Sequence, residues 1–241
     1  MEQRTFLLDG QWNIVYYPHK PSGFSVLIFG DSGHFVQERT SYWREHPGRL
    51  QILESLKEHG YTLFSSNFHG MKWESQRSCE LAVKLYFLIM KSEILNNKIH
   101  ILAEGTGALP AMKFMESMPE LIRSAVFINP CLSVKNRLIK EKESKFFYKK
   151  WLKEASAANK MDSGEFEGFV LDSDKLSFKT KVPLKIITIL DNANGEQNSL
   201  YQELKQQNDQ ELLEFTYLLP EKRYKIPIQI RQFFQKHEKL L

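Results

Sequence analysis

Short apolar runs rich in β-branched and aromatic residues alternate with amphipathic stretches of helical length along most of the chain. This alternation is typical of βαβ units around a parallel sheet. The predicted strands are 5–8, 12–17, 25–29, 62–67, 98–103, 124–128, 184–190 and 213–219. The predicted long helices are 49–59, 78–92, 108–118, 199–208 and 227–237. The fold class is therefore predicted to be α/β.

The first three strands come before any long helix. Asp9-Gly10 separates the first two runs, and Asp-Gly between apolar strands is a strong signal for a tight antiparallel hairpin. In the first helix, leucines recur every third position at Leu50, Leu53 and Leu56, and Gly60 follows as a stop signal. The sheet is thus expected to be mostly parallel, with an antiparallel opening hairpin.

The segment 131–181 interrupts the alternation with a charged stretch that carries several aromatic residues. We interpret it as one helix or more, with a loop at 162–164, inserted between two strands as a short helical cap. Residues 1–241 otherwise fit one α/β domain with a single core.

Composition excludes several classes of protein. Hydrophobic residues make up 42% of the 241 residues, and no run approaches the ~20 apolar residues of a transmembrane helix. The amino-terminal residues contain no apolar signal-peptide core, so a cytoplasmic location is predicted. Cys79 and Cys131 are far apart and lack zinc-site spacing, so we predict reduced thiols, no metal and no cofactor. Cys79 is expected on a buried helix face.

A glycine-rich turn links the predicted strand 98–103 to the next helix. It reads Glu104-Gly105-Thr106-Gly107, and Ala103 and Gly107 are the small flanking residues that a tight strand-to-helix turn needs. Together with the opening hairpin, this turn resembles the nucleophile elbow of the α/β-hydrolase family. The resemblance extends over nearly the whole chain and implies the α/β-hydrolase fold.

The resemblance also implies where a catalytic triad would lie. It places Gly105 at the serine position, and glycine has no side chain with which to form an acyl intermediate. Thr106 is one residue too late for its hydroxyl to take over. The acid position corresponds to Asp191, which could equally be a turn or capping residue, and the expected histidine loop, 220–226, contains no histidine. We expect His237 at the surface near a helix end.

A second glycine-containing loop follows the predicted strand 25–29. It reads Gly30-Asp31-Ser32-Gly33-His34 and resembles the loop that supplies one backbone N–H to the family's oxyanion hole. His69, after the next strand, should lie at the same carboxyl edge of the sheet, where open α/β proteins bind ligands. Gly30, Asp31, Gly33, His34, His69 and Thr106 are therefore candidate binding residues, although an unliganded glycine loop would carry the same sequence.

The string Gly30-Asp31-Ser32 supports a rival interpretation. It resembles the Gly-Asp-Ser block of lipase-like hydrolases, in which Ser32 would be the nucleophile. Those enzymes pair this serine with an Asp-x-x-His near the carboxyl terminus, whereas residues 234–236 before His237 include no aspartate.

The net charge of +4 is concentrated in the predicted cap, mainly in 135–153. Aromatic residues alternate with lysines there, which fits either a lid helix over a pocket or a surface for an acidic protein partner or an anionic membrane. No nucleic-acid recognition motif is present. Two hypotheses remain: a non-catalytic protein that binds a small acyl- or ester-like ligand or a protein partner, and an active ester hydrolase that uses Ser32 or another unusual nucleophile.

Overall fold

A computed structural model describes residues 2–69, 75–143, 145–158, 161–172, 178–190 and 197–238. Within these ranges one eight-stranded sheet has the order β1-β2-β4-β3-β5-β6-β7-β8. The strands are β1 Gln3–Leu8, β2 Gln11–Tyr16, β3 Ser25–Phe29, β4 Thr62–Ser66, β5 Ile99–Glu104, β6 Ile122–Ile128, β7 Leu184–Ile189 and β8 Leu213–Leu218.

The sheet has the predicted direction pattern. β1 pairs with β2 and β2 with β4 in antiparallel fashion, whereas β4, β3, β5, β6, β7 and β8 run parallel. Asp9 (φ 49°) and Gly10 (φ 70°) form the two-residue hairpin turn between Leu8 and Gln11. Positive φ at both central residues matches the right-handed twist of the strands. The predicted α/β fold with an antiparallel opening hairpin is confirmed.

Helices cover both faces of the sheet. They are α1 Tyr42–Glu45, α2 Pro47–Glu58, α3 Ser75–Ser92, α4 Ala108–Ser117, α5 Val134–Glu143, α6 Lys145–Ala158, α7 Ser163–Asp172, α8 Gln197–Gln207 and α9 Ile226–Lys236. One buried cluster includes residues of α3, α4 and α8, and a second includes residues of α2 and α9. The sheet therefore separates two cores.

Side-chain alternation along β5 decides which residues reach each core. Ile101 and Ala103 belong to the cluster under α3 and α4, whereas Leu102 belongs to the cluster under α2 and α9. Successive strand residues point to opposite faces, so Glu104 shares the α2 face with Leu102.

Some local elements differ from those predicted from the sequence. α1 was not predicted; it is a single turn in which the Arg44 N–H donates to the hydroxyl of the capping residue Ser41. The 220–226 loop contains a 3₁₀ turn, Pro220–Lys225. The loop predicted at 162–164 is the start of α7, because Asp162 Oδ1 accepts hydrogen bonds from the N–H groups of Gly164 and Glu165. In the described parts of 129–183, three helices, α5 to α7, lie between β6 and β7.

Candidate functional site

The turn between β5 and α4 is packed tightly against the end of β3. Gly105 has φ +53°, a left-handed conformation that favours glycine. A Cβ atom on Gly107 would lie 2.4 Å from the carbonyl oxygen of Phe29 and 2.5 Å from that of Gly30. Both glycines are therefore required by the backbone geometry, as the sequence pattern predicts.

The space beside Gly105 is filled by the side chain of Asp31. A Cβ atom on Gly105 would lie 2.2 Å from both Cγ and Oδ1 of Asp31 and 2.5 Å from Oδ2. Real Cβ atoms do not come this close to other heavy atoms, so no larger residue fits at position 105 while Asp31 keeps its place.

Three hydrogen bonds from described residues to Oδ1 hold the Asp31 carboxylate there. Oδ1 accepts from the backbone N–H of Ser32 (2.8 Å), the backbone N–H of Thr106 (2.8 Å) and the Thr106 hydroxyl (2.9 Å). Hydrogen bonds to a charged acceptor are stronger than those between neutral groups. Asp31 thus ties the loop after β3 to the turn after β5.

The loop after β3 is shaped by its glycines and by His34. The backbone N–H of Asp31 donates to His34 Nδ1 (3.0 Å), and the buried imidazole stacks on Tyr42 with ring centroids 3.9 Å apart. A Cβ on Gly30 would lie 2.8 Å from His34 Nδ1, and Gly33 has φ +80°. His34 therefore organises this loop through its ring.

Glu104 and Arg49 form a largely buried ion pair next to Gly105. Arg49 Nε donates to Glu104 Oε2 (3.0 Å), and Arg49 Nη2 donates to Oε1. Glu104 is only 5% exposed, and burial raises the pKa of its carboxyl group, an effect that Arg49 opposes. The pair brings α2 to the carboxyl end of β5.

A cavity of about 300 Å³ opens on the α2 face at the carboxyl ends of β5, β6 and β7. The Arg49–Glu104 pair, Asn129 and Arg223 supply polar groups to its wall, and buried isoleucines supply apolar surface. Its size lies at the lower end of the range for small-molecule sites.

The remaining predicted site residues lie in separate places. His69 (φ 62°) is held at the opening hairpin, where its N–H donates to Gln11 Oε1 (3.1 Å), and burial lowers its pKa. Asp191 falls outside the described residues. Within the described part of the chain, no histidine hydrogen-bonds to the hydroxyl of Ser32, whose only recorded bond is made by its backbone N–H. His237 is half-buried at the end of α9, with its ring 4.8 Å from Phe233.

Three residues that line the cavity, Arg49, Asn129 and Arg223, were not predicted as site residues from the sequence. Arg49 lies in the first turn of α2, and Asn129 follows β6 directly. One signal could have identified Arg49 and Asn129: a polar residue directly after a parallel strand or at the start of the next helix lies at the ligand-binding edge of the sheet.

Three further observations concern disulfide bonding, metal binding and membrane-spanning helices. Cys79 and Cys131 are buried and form no disulfide with each other, and Cys79 lies on α3 as expected. Across the described ranges, no group of three or more His, Cys, Asp or Glu side chains is arranged to hold a metal ion. None of the described helices is both long and apolar enough to span a bilayer.

Solved structures resemble nearly the whole chain. A scan against protein-family models gave no match, and neither did a comparison with curated protein sequences. Est1E from Butyrivibrio proteoclasticus superposes with a TM-score of 0.65 at 11% identity, covering 98% of this chain and 99% of that one. An esterase from Pyrococcus furiosus gives a TM-score of 0.67 at 16% identity, covering 99% and 92%.

An epoxide hydrolase from Vigna radiata gives a TM-score of 0.62 at 14% identity and covers 98% of both chains. Identities this low support a statement about fold rather than activity. The sheet order, the opening hairpin and the glycine turn after β5 agree with these near-full-length superpositions. The chain therefore has the α/β-hydrolase fold.

Proposed function

We propose that this protein is a non-catalytic member of the α/β-hydrolase fold that binds a ligand or partner in the cleft at the carboxyl edge of its sheet. The observation that carries the proposal is the position of Asp31. Its carboxylate fills the space into which a side chain at position 105 would project. A serine at that position is what the fold's hydrolases need for acyl transfer.

The hydrogen-bond donors around Asp31 support the same proposal. In the fold's hydrolases the oxyanion is held by the N–H of the residue after the nucleophile and by an N–H from the loop after the third strand. The corresponding donors in this chain are the N–H groups of Thr106 and Ser32, and both already donate to Asp31 Oδ1. A substrate oxyanion would have to displace an internal carboxylate.

The histidine position argues in the same direction. Residues 220–226 contain no histidine, and a serine nucleophile without its base loses most of its reactivity.

We further propose that residues 1–241 form one domain and that residues 131–181 form a cap within it. Exposed Lys142, Lys149 and Lys153 on this segment suit an acidic partner or an anionic surface.

A second candidate is an ester hydrolase that uses Ser32, and the similarity to an esterase and an epoxide hydrolase favours it. Ser32 is partly exposed, so substrate could reach it. Against it stands the absence, among the described residues, of a histidine bonded to its hydroxyl.

Hydrolysis of short- and medium-chain p-nitrophenyl esters separates the two candidates. Wild type, Ser32→Ala and Gly105→Ser are each expected to show only the buffer rate, the last because its new hydroxyl meets Asp31 and has no histidine base. Ser199→Ala, a change at an exposed position on α8, serves as the matched control. Turnover that is kept in Ser199→Ala and lost in Ser32→Ala would replace the proposal with the hydrolase.

A further inference from the structure

The cavity bounded by the amino end of α2 and the 3₁₀ turn before α9 has an uneven supply of hydrogen-bonding groups. Glu104 is its one lining carboxylate among the described residues, and both of its oxygens already accept from Arg49. The principal side-chain acceptor is therefore occupied before any ligand arrives.

Several donors on the cavity wall are unoccupied. Arg49 uses Nε and Nη2 for Glu104, which leaves Nη1 with no hydrogen bond to any described residue. The Arg223 side chain is exposed and makes neither a hydrogen bond nor an ion pair within the described ranges. Arg49 is thus already paired with Glu104, whereas the Arg223 guanidinium on the same wall has no carboxylate partner in the described ranges.

Neutral groups add to the same excess of donors. Asn129 Oδ1 accepts from the backbone N–H of Ile189 (2.8 Å), which fixes the amide orientation and leaves its NH₂ group without a partner among the described residues. His46 Nδ1 accepts from the N–H of Gly48 (3.2 Å), so in the neutral ring Nε2 carries the proton. Nε2 likewise has no recorded acceptor in the described part of the chain.

Isoleucine side chains supply apolar surface to the wall. Ile52, Ile128, Ile189 and Ile226 are each at least nine-tenths buried and belong to the core under α2 and α9. They would contact the hydrocarbon part of a small molecule whose charged end meets the arginines.

We propose that this cavity binds a small organic acid, with the carboxylate against Arg223 and Arg49 Nη1 and a short apolar body against the isoleucines. This assignment rests on the proposed binding function and names the class of its ligand. Arginine recognises carboxylates through paired N–H donors, and a neutral analogue would leave those donors without a charged acceptor.

Hexanoate is a suitable probe, with hexanamide as its uncharged counterpart. Calorimetric titration of each to about 20 mM covers the ~1 mM dissociation constant expected for so small a ligand. We expect saturable hexanoate binding and at least tenfold weaker binding of hexanamide. No hexanoate binding, or equal binding of the two probes, would overturn the assignment.

Two neighbouring substitutions test the role of Arg223. Arg223→Gln should weaken hexanoate binding about tenfold, because it removes a charge-assisted hydrogen bond. Lys222→Gln removes the same charge from the same turn but does not line the cavity, so it should change affinity less than about twofold. Equal losses in both variants would indicate general charge attraction and refute the assignment.

Isoleucine methyl NMR then locates the ligand without relying on any substitution. Hexanoate should shift the methyl signals of Ile128 and Ile189 and leave that of Ile99, at the opposite end of β5, unchanged. Ester turnover measured on the same samples tests the proposed function separately. Turnover would refute the non-catalytic proposal, whereas absent or mislocated binding would refute only the organic-acid site.

Discussion

Replacing Gly105 with alanine puts a methyl group into space that the Asp31 carboxylate fills. Alanine in the left-handed conformation at φ +53° costs about 1–2 kcal/mol. Expelling the carboxylate also forfeits the three hydrogen bonds to Oδ1, at a net cost of about 1 kcal/mol each. We therefore expect Gly105→Ala to lower the free energy of unfolding by about 4–5 kcal/mol.

A double-mutant cycle with Asp31→Ala separates two effects of Gly105→Ala: the steric clash with the Asp31 carboxylate and the backbone strain at position 105. Asp31→Ala alone should cost about 3 kcal/mol, since it loses the same three hydrogen bonds. The double variant pays for those bonds only once, so it should be about as stable as Gly105→Ala alone. The expected coupling is therefore about 3 kcal/mol, well above the ~0.5 kcal/mol scatter of independent sites.

Urea unfolding followed by circular dichroism measures the free energy of unfolding of the wild type, the two single variants and the double variant. Unchanged m-values show that their unfolded states are comparable. Additive costs, with the double variant about 3 kcal/mol less stable than Gly105→Ala, would refute the contact between Asp31 and position 105. That result would also remove the main support for the non-catalytic proposal.

Three further predictions use the same unfolding assay. Gly107→Ala should lower the free energy of unfolding by at least about 3 kcal/mol, because the new Cβ would lie 2.4 Å from a backbone oxygen. Gly168→Ala is the control: its Cβ would have no heavy atom within 4 Å, so the free energy of unfolding should stay the same or rise slightly. Burial lowers the pKa of His100 from 6.5 to about 3, so the unfolded chain binds a proton that the folded protein does not. Stability should hence fall as pH drops from 6.5 towards 3, by about 2 kcal/mol at pH 5, and His100→Gln should remove that slope. Arg49→Met should cost about 3–5 kcal/mol at pH 7 by leaving Glu104 buried and unpaired, and Arg49→Met/Glu104→Met should recover most of the loss.

The fold could be predicted from local signals that act over a few residues. The Asp9-Gly10 turn, the apolar strands and the leucine spacing in α2 each specify their element almost alone, and the observed sheet contains all eight predicted strands. The missed α1 is a single turn, too short to generate a helical period in the sequence. The start of α7 cannot be distinguished from a loop in the sequence, because aspartate is common both in turns and at helix N-termini, where Asp162 lies.

The candidate site could be predicted only in part. The glycine turn at 105–107 follows from its own sequence, but its contact with Asp31 joins positions 75 residues apart along the chain. The sequence predicts Asp31 only as a candidate binding residue in the glycine-containing loop after β3. Nothing in the local pattern indicated that its carboxylate would occupy the space next to Gly105, because that depends on how the β3 and β5 ends pack together.

The cavity shows the same limit. Arg49, Asn129 and Arg223 come from three distant parts of the chain, and they share a wall only because β5, β6, α2 and the turn before α9 meet at one edge of the sheet. Hydrophobic periodicity predicts each helix and strand, but only the folded structure shows which of their residues line the same cavity.

Mass spectrometry of the intact protein after incubation with a fluorophosphonate tests the central claim most directly, because this reagent phosphonylates activated serine hydroxyls. With Asp31 beside Gly105 and no recorded histidine partner for Ser32, the mass should remain that of the untreated chain. A stoichiometric adduct that maps to Ser32 and disappears in Ser32→Ala would contradict the account and identify a working hydrolase.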